Sequence, residues 1–100
     1  MRCSMARRVI ERRLAEIGGR LQRLREDLVV AEEQLAHFED EADDARVRAL
    51  VSETAIGDNE RRGAERHVTS MTRHRDGLLK EIQRLEVTQD ELLDRFVTGI

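Results

Sequence analysis

Apolar residues recur along this chain at alternating intervals of three and four, and this spacing is the strongest constraint on its fold. The first series runs from Ile10 to Ala49 over about six heptads without a polar interruption. The second runs from Ala64 to Phe96 and is interrupted by polar residues every fourteen positions. The pattern predicts two long helices that pack along an apolar seam. The predicted seam positions are Ile10, Leu14, Ile17, Leu21, Leu24, Leu28, Ala31, Leu35, Phe38, Ala42, Ala45 and Ala49, then Ala64, Val68, Met71, Leu78, Ile82, Leu85, Leu92 and Phe96.

The composition agrees with long helices rather than with a globular core. Charged residues make up 39% of the chain, aromatic residues only 2%, and proline is absent. The single Cys3 excludes a disulfide framework and a cysteine-based zinc site, and it fits a reducing, cytoplasmic setting. No apolar run reaches the roughly 18 residues of a membrane span. We therefore expect a cytoplasmic protein without a membrane partner.

The segment SETAIGDNE, residues 52–60, separates the two series and predicts a turn. Gly57 can adopt the positive φ that ends many helices. Asp58 or Asn59 can cap the helix that follows, because their side chains accept hydrogen bonds from free backbone N–H groups. The sequence thus predicts a helix over about 6–54, a turn at about 55–58 and a helix over about 58–98.

Blocks of charge predict how the two helices pair. Residues 1–25 carry a net charge of +6 and residues 81–100 carry −3, while residues 26–45 carry −9 and residues 61–80 carry +4. Folding the chain at Gly57 places positive on negative at both ends. The predicted fold class is all-α, a long antiparallel two-helix coiled-coil hairpin. An antiparallel dimer of straight helices makes the same contacts and remains an alternative.

The register of the hairpin follows from matching the apolar layers. In the preferred register the numbers of facing residues add up to about 113, so that Leu28 faces Leu85 and Arg75 lies beside Phe38. An alternative register, with a total of about 106, moves the turn to residue 53. The first is preferred because the second leaves Gly57 without a role as a helix end.

Several large apolar residues lie off the seam, where a two-helix hairpin cannot bury them. Exposed apolar area of this kind is typical of a surface that binds a partner. Association of two copies into a four-helix bundle is the simplest use of it. The candidate partner surface consists of Val30, Leu50, Val51, Leu79, Leu93 and Val97, with Val29 and Val47 nearby. We predict a non-catalytic protein-interaction module that binds a protein partner and forms a homodimer.

The acidic stretch Asp40–Ala45, DEADDA, resembles the D-x-x-D-x-A tip motif of the DksA/TraR-type transcription factors. Like the Gre factors, those proteins insert a coiled-coil hairpin into the secondary channel of RNA polymerase. The resemblance implies that Asp40 and Asp43 are the acids that act near the catalytic magnesium, with Ala45 as the small residue. The other candidate tip acids are Asp44, Glu53, Asp58 and Glu60. The alternative interpretation is a solvated helix face, because Asp40 and Asp43 occupy outer heptad positions.

Other chemistry has little support in the sequence. There is no nucleophile elbow, P-loop or dinucleotide motif, and His67 and His74 are too far apart along a helix to chelate one metal. We therefore expect no enzyme activity and no cofactor. The arginine-rich first 13 residues could bind nucleic acid, but the net charge of −3 and the scarcity of aromatic side chains argue against it. We expect those arginines to pair with Asp90, Glu91 and Asp94 instead.

Overall fold

The chain forms two α-helices joined by a two-residue turn. The computed structural model describes residues 2–99, with side chains from Met5 to Gly99. Helix α1 spans Arg2–Ser52 and helix α2 spans Ala55–Thr98, and no strand occurs in the described range. The predicted all-α helical hairpin is confirmed, because the chain reverses within itself rather than continuing as one straight helix. The side chain of Cys3 lies outside the described side chains.

The turn lies earlier than predicted, at Glu53 and Thr54 rather than at residues 55–58. Thr54 caps α2, since its Oγ1 accepts a hydrogen bond of 3.1 Å from the backbone N–H of Gly57. Asp58 therefore does not cap the helix; it lies in the first turn, where its charge favours the helix dipole. The physical reason is that threonine is a good N-cap and precedes the other candidates in the chain.

Helix α1 ends in a left-handed residue that is not glycine. Glu53 has a φ of 50°, and its N–H donates a 3.0 Å hydrogen bond to the carbonyl oxygen of Ala49. This is the single-bond C-terminal motif that usually contains glycine or asparagine. An exposed acidic side chain thus occupies the point where the chain reverses.

Gly57 has a different role from the predicted one. It is buried within α2, and a Cβ atom built there would lie 2.7 Å from Ser52 Oγ, 3.3 Å from Thr54 Oγ1 and 3.4 Å from Ala49 Cα. The position needs a residue without a side chain because the two helices approach closely, not because the backbone needs a positive φ.

The contacts across the hairpin correct the preferred register. Ala49 faces Gly57, and the rings of Phe38 and His67 lie 5.4 Å apart in an edge-on arrangement. Both pairs belong to the alternative register, with the turn at residue 53. The predicted contact of Arg75 with Phe38 is therefore wrong.

The contacts within the chain form two compact units. The turn unit comprises residues 28–77, and the terminal unit comprises residues 1–27 with 78–100. Three buried residues, all at predicted seam positions, form the core of the turn unit: Ala31, Leu35 and Ala45. The terminal unit has the larger core, again at predicted positions: Ile10, Ile17, Leu21, Leu24, Ile82, Leu85 and Leu92.

Two ion pairs join the helices within the terminal unit. Arg20 Nε lies 3.6 Å from a carboxylate oxygen of Glu81, and Arg25 lies 3.5 Å from Glu86. These pairs agree with the antiparallel arrangement that the charge blocks predicted. Both pairs lie at the surface, where water screens the charges, so each contributes little to the stability of the hairpin.

The arginines near the beginning of α1 do not pair as expected. Between Met5 and Gly99 no ion pair joins them to Asp90, Glu91 or Asp94. Arg7 instead places its guanidinium carbon 4.4 Å above the centre of the Phe96 ring, a cation–π contact. Packing on an aromatic face competes with salt bridging because it also covers apolar surface.

Candidate functional site

The turn end of the hairpin carries a group of exposed apolar side chains, here called the apolar tip: Val47, Leu50, Val51 and Ile56. Leu50 and Ile56 are each 73% exposed and Val51 is 81% exposed. The first three occur at intervals of three and one on the outer side of α1, and Ile56 opens α2. Val47, Val51 and Ile56 line a shallow groove of about 430 Å³ beside Gly57. This is an apolar surface without any covering element in the described chain.

The narrow seam explains why these side chains stay outside. The facing positions next to the turn are occupied by Ala45, Ala49, Gly57 and Ala64, which bring the two backbones close together. Side chains on the outer positions of such a pair have nothing to pack against. The sequence identified Leu50 and Val51 as partner-surface residues, but it missed Ile56, which fell in the predicted turn.

The remaining candidate partner residues lie elsewhere and are exposed as predicted. Val30 belongs to the turn unit, whereas Leu79, Leu93 and Val97 belong to the terminal unit. Leu79 and Leu93 are separated by two heptads, so they share one face of α2. The terminal unit thus has an apolar strip of its own beside the seam.

The acidic residues close to the turn are exposed but do not converge. Glu53 occupies the turn itself, and Glu60 lies on α2. Asp58 is engaged by its own helix, with its carboxylate oxygens 3.5 Å from Arg61 and 3.7 Å from Arg62. Among the described residues, no three acidic, histidine or cysteine side chains are placed to bind a metal ion.

The acidic stretch of α1 lies along the outer face of the helix, before the turn. Asp44 precedes Glu53 by nine residues, about 13 Å of helix. Asp43 is paired with Arg46 one turn later. Asp40 and Asp44 make no ion pair with any described residue, and both are exposed. The structure thus separates these acids from the turn by the apolar tip.

Three arginines form a basic face on α2. Arg62, Arg66 and Arg73 line a shallow groove of about 650 Å³ together with Thr69, Ser70 and Glu65, whose carboxylate is paired with Arg61. Within residues 28–77 no ion pair links α1 to α2, so the expected neutralisation of the α1 acids by the α2 arginines does not occur there. The acidic and basic faces are both left open to solvent.

Among the described residues, the pKa values of Arg61, Glu81 and Arg84 are shifted by neighbours on the helix surface. A side-chain hydrogen bond with Glu65 raises the pKa of Arg61. The pKa of Glu81 is lowered, chiefly by a hydrogen bond from Arg84 and also by the charges of Arg84 and Arg20. The pKa of Arg84 is raised by the same hydrogen bond. These shifts are the consequence of ion pairs on a helix surface, and none of the three groups lies in an enclosed cleft.

The surface therefore carries exposed faces of two kinds, apolar and charged, on a helical frame. None of the helices in the described range is both long and apolar enough to cross a membrane. Comparisons with protein-family models, with curated proteins and with solved structures found no significant match.

Proposed function

We propose that this chain is a non-catalytic protein-interaction module that binds a protein partner through the apolar tip. The observation that carries the proposal is the exposure of Val47, Val51 and Ile56 around one shallow groove, with Leu50 exposed beside them on α1. Apolar side chains grouped in this way lose water only when a partner covers them, and burial of each is worth about 1.5–3 kcal/mol.

The helical frame supports the same role. The tip residues sit on α1 and on α2, which Thr54 caps, and the two helices are held together by close packing at Gly57. A rigid frame lowers the entropic cost of presenting side chains to a partner. The grooves of the turn unit are shallow and open, which suits a protein surface better than a small substrate.

The terminal unit supports a second contact, between two copies of the chain. Leu79 and Leu93 lie on one face of α2 beside the seam, and Val97 follows near the helix end. Two such strips placed together would form the core of a four-helix bundle. The proposed homodimer leaves the apolar tip free for another protein.

The tip proposal can be tested with a capture experiment in the native cell extract. We expect the immobilised chain to retain a specific protein, and Val51→Asp with Ile56→Asp to reduce its retention at least tenfold, as loss of central apolar anchors does. Val87→Asp is the matched control, because Val87 is exposed but lies in the terminal unit. Equal retention by the tip variant, with unchanged helicity by circular dichroism, would refute the proposal.

One observation favours a second candidate function, regulation of RNA polymerase by an acidic hairpin tip. Glu53 holds the turn, and the turn lies closer to Asp40 and Asp43 than predicted. Transcription with purified RNA polymerase tests this candidate. We would expect the wild-type chain to change transcript yield, and Glu53→Gln or Asp40→Asn with Asp43→Asn to abolish the change. Absence of any effect of the wild-type chain would exclude this function.

A further inference from the structure

The turn unit carries charges that its own fold does not neutralise. Glu33, Asp40 and Asp44 are exposed on the outer side of α1 and make no ion pair with a described residue. Arg66 and Arg73 on the outer side of α2 are equally free of carboxylates in the described range, and Arg62 reaches only Asp58 at 3.7 Å. The two sets belong to opposite sides of the same hairpin, since both lie away from the seam.

The spacing of the two sets matches. Along α1 the carboxylates follow at intervals of seven and four residues, at Glu33, Asp40 and Asp44. Along α2 the arginines follow at four and seven, at Arg62, Arg66 and Arg73. If α1 of one copy lies antiparallel to α2 of another, the order is reversed and all three charges meet an opposite charge at the same level.

We propose that these two charged faces bind each other between copies of the chain. The acidic face of α1 in one copy docks on the arginine face of α2 in the next copy, so that the hairpins lie side by side. This deepens the proposed interaction function and depends on it. The two faces lie on opposite sides of one hairpin, so the contact joins two different surfaces and is heterologous. Repeated contacts of this kind join hairpins that point in the same direction into an open row or a ring. Exposed charge pairs are individually weak, so the association is weak and sensitive to salt.

The test uses two variants that each keep one face. The arginine-face variant carries Arg62→Gln, Arg66→Gln and Arg73→Gln. The acidic-face variant carries Glu33→Gln, Asp40→Asn and Asp44→Asn. Neither should associate with itself through this contact, but an equimolar mixture should sediment faster than either variant alone at about 10 mM salt. We expect the affinity of the mixture to fall at least tenfold at about 1 M salt, where the screening length is about 3 Å.

A matched control removes three other carboxylates of α1 with Glu32→Gln, Glu39→Gln and Glu41→Gln. It has the same net charge as the acidic-face variant but should associate like the wild type. Any contact through Leu79 and Leu93 is present in every sample and does not contribute to the difference. The tip capture experiment is independent of these charges, so it can succeed when the mixture fails.

Several results would overturn the proposal. One is a mixture that sediments like its two components alone. Another is loss of association in the control variant. A third is an arginine-face variant that associates like the wild type but no longer binds single-stranded DNA, which would assign the arginines to nucleic acid.

Discussion

At the scale of single residues, the reversal of the chain depends on three positions. The role of each depends on the room around it as well as on its residue type. Thr54 supplies the cap, Glu53 accepts a left-handed backbone, and Gly57 provides room for the facing helix. The sequence suggested glycine for its φ, but the structure uses it for its size. The close packing at Gly57 can be measured, because an added methyl group is unfavourable there but favourable at a helical glycine with open space around it.

We expect Gly57→Ala to lower the free energy of unfolding by about 1 kcal/mol, because the new methyl group lies against Ser52 Oγ and disturbs the Thr54 cap. Gly77→Ala is the matched control. No atom lies within 4 Å of its added Cβ, so it should raise the free energy by up to about 1 kcal/mol through helix propensity. Urea denaturation followed by circular dichroism measures both. A gain at Gly57 as large as that at Gly77 would contradict close packing at the turn.

Glu53 provides a second test at this scale. Its φ of 50° costs a residue with a Cβ atom about 1 kcal/mol, so Glu53→Gly should raise the free energy of unfolding by about that amount. Glu39→Gly, in the middle of α1 and equally exposed, should lower it by about 1 kcal/mol. The same denaturation experiment compares them, and destabilisation by both changes would show that Glu53 is not held in a left-handed conformation.

At the scale of the helices, the heptad pattern predicted which residues form the seam but could not select the register. All ten buried apolar residues of the described chain occupy predicted seam positions. The preferred and alternative registers differ by seven residues in the total, so both keep the same positions on the seam. Only the position of the turn distinguishes the two registers. Since Thr54, Asp58 and Asn59 are all good helix caps, the sequence left its position open.

The candidate surfaces were predictable to a similar degree. Off-seam apolar residues such as Leu50 and Leu79 are exposed because a pair of helices has only one shared face. The individual ion pairs, in contrast, could not be predicted from the net charges of the sequence blocks. Arg61 and Arg84 reach carboxylates three or four residues away on their own helix, at less entropic cost than partners on the facing helix.

A double-mutant cycle tests the register in the terminal unit. The alternative register places Leu21 level with Leu85, and both are buried. Each change to alanine should cost about 2–4 kcal/mol, and the double variant should depart from additivity by at least about 0.5 kcal/mol. Ile10→Ala combined with Leu85→Ala is the control pair and should be additive, since these residues lie about 16 Å apart along the helices. Additivity of Leu21 and Leu85 would contradict the register.

At the scale of the whole molecule, charge and exposed apolar area together favour association of copies. The net charge is only −3 although 39% of the residues are charged, so copies repel each other weakly. Twelve large apolar side chains are exposed among the described residues. The apolar strip of the terminal unit and the charged faces of the turn unit should therefore respond differently to salt, because screening weakens only the second.

The two proposed contacts can be separated at about 1 M salt, where charge pairs are screened. Light scattering should then give about twice the 11.6 kDa mass of the chain at concentrations on the order of tens of micromolar. Leu79→Glu with Leu93→Glu should give the monomer mass, because these side chains are 38% and 43% exposed on one face beside the seam and a dimer would bury the new charges. Val87→Glu, at a position 58% exposed, should leave the dimer intact. A wild-type monomer at every concentration would contradict the proposed dimer, and a Val87 variant that also dissociates would place the interface on a different face of α2.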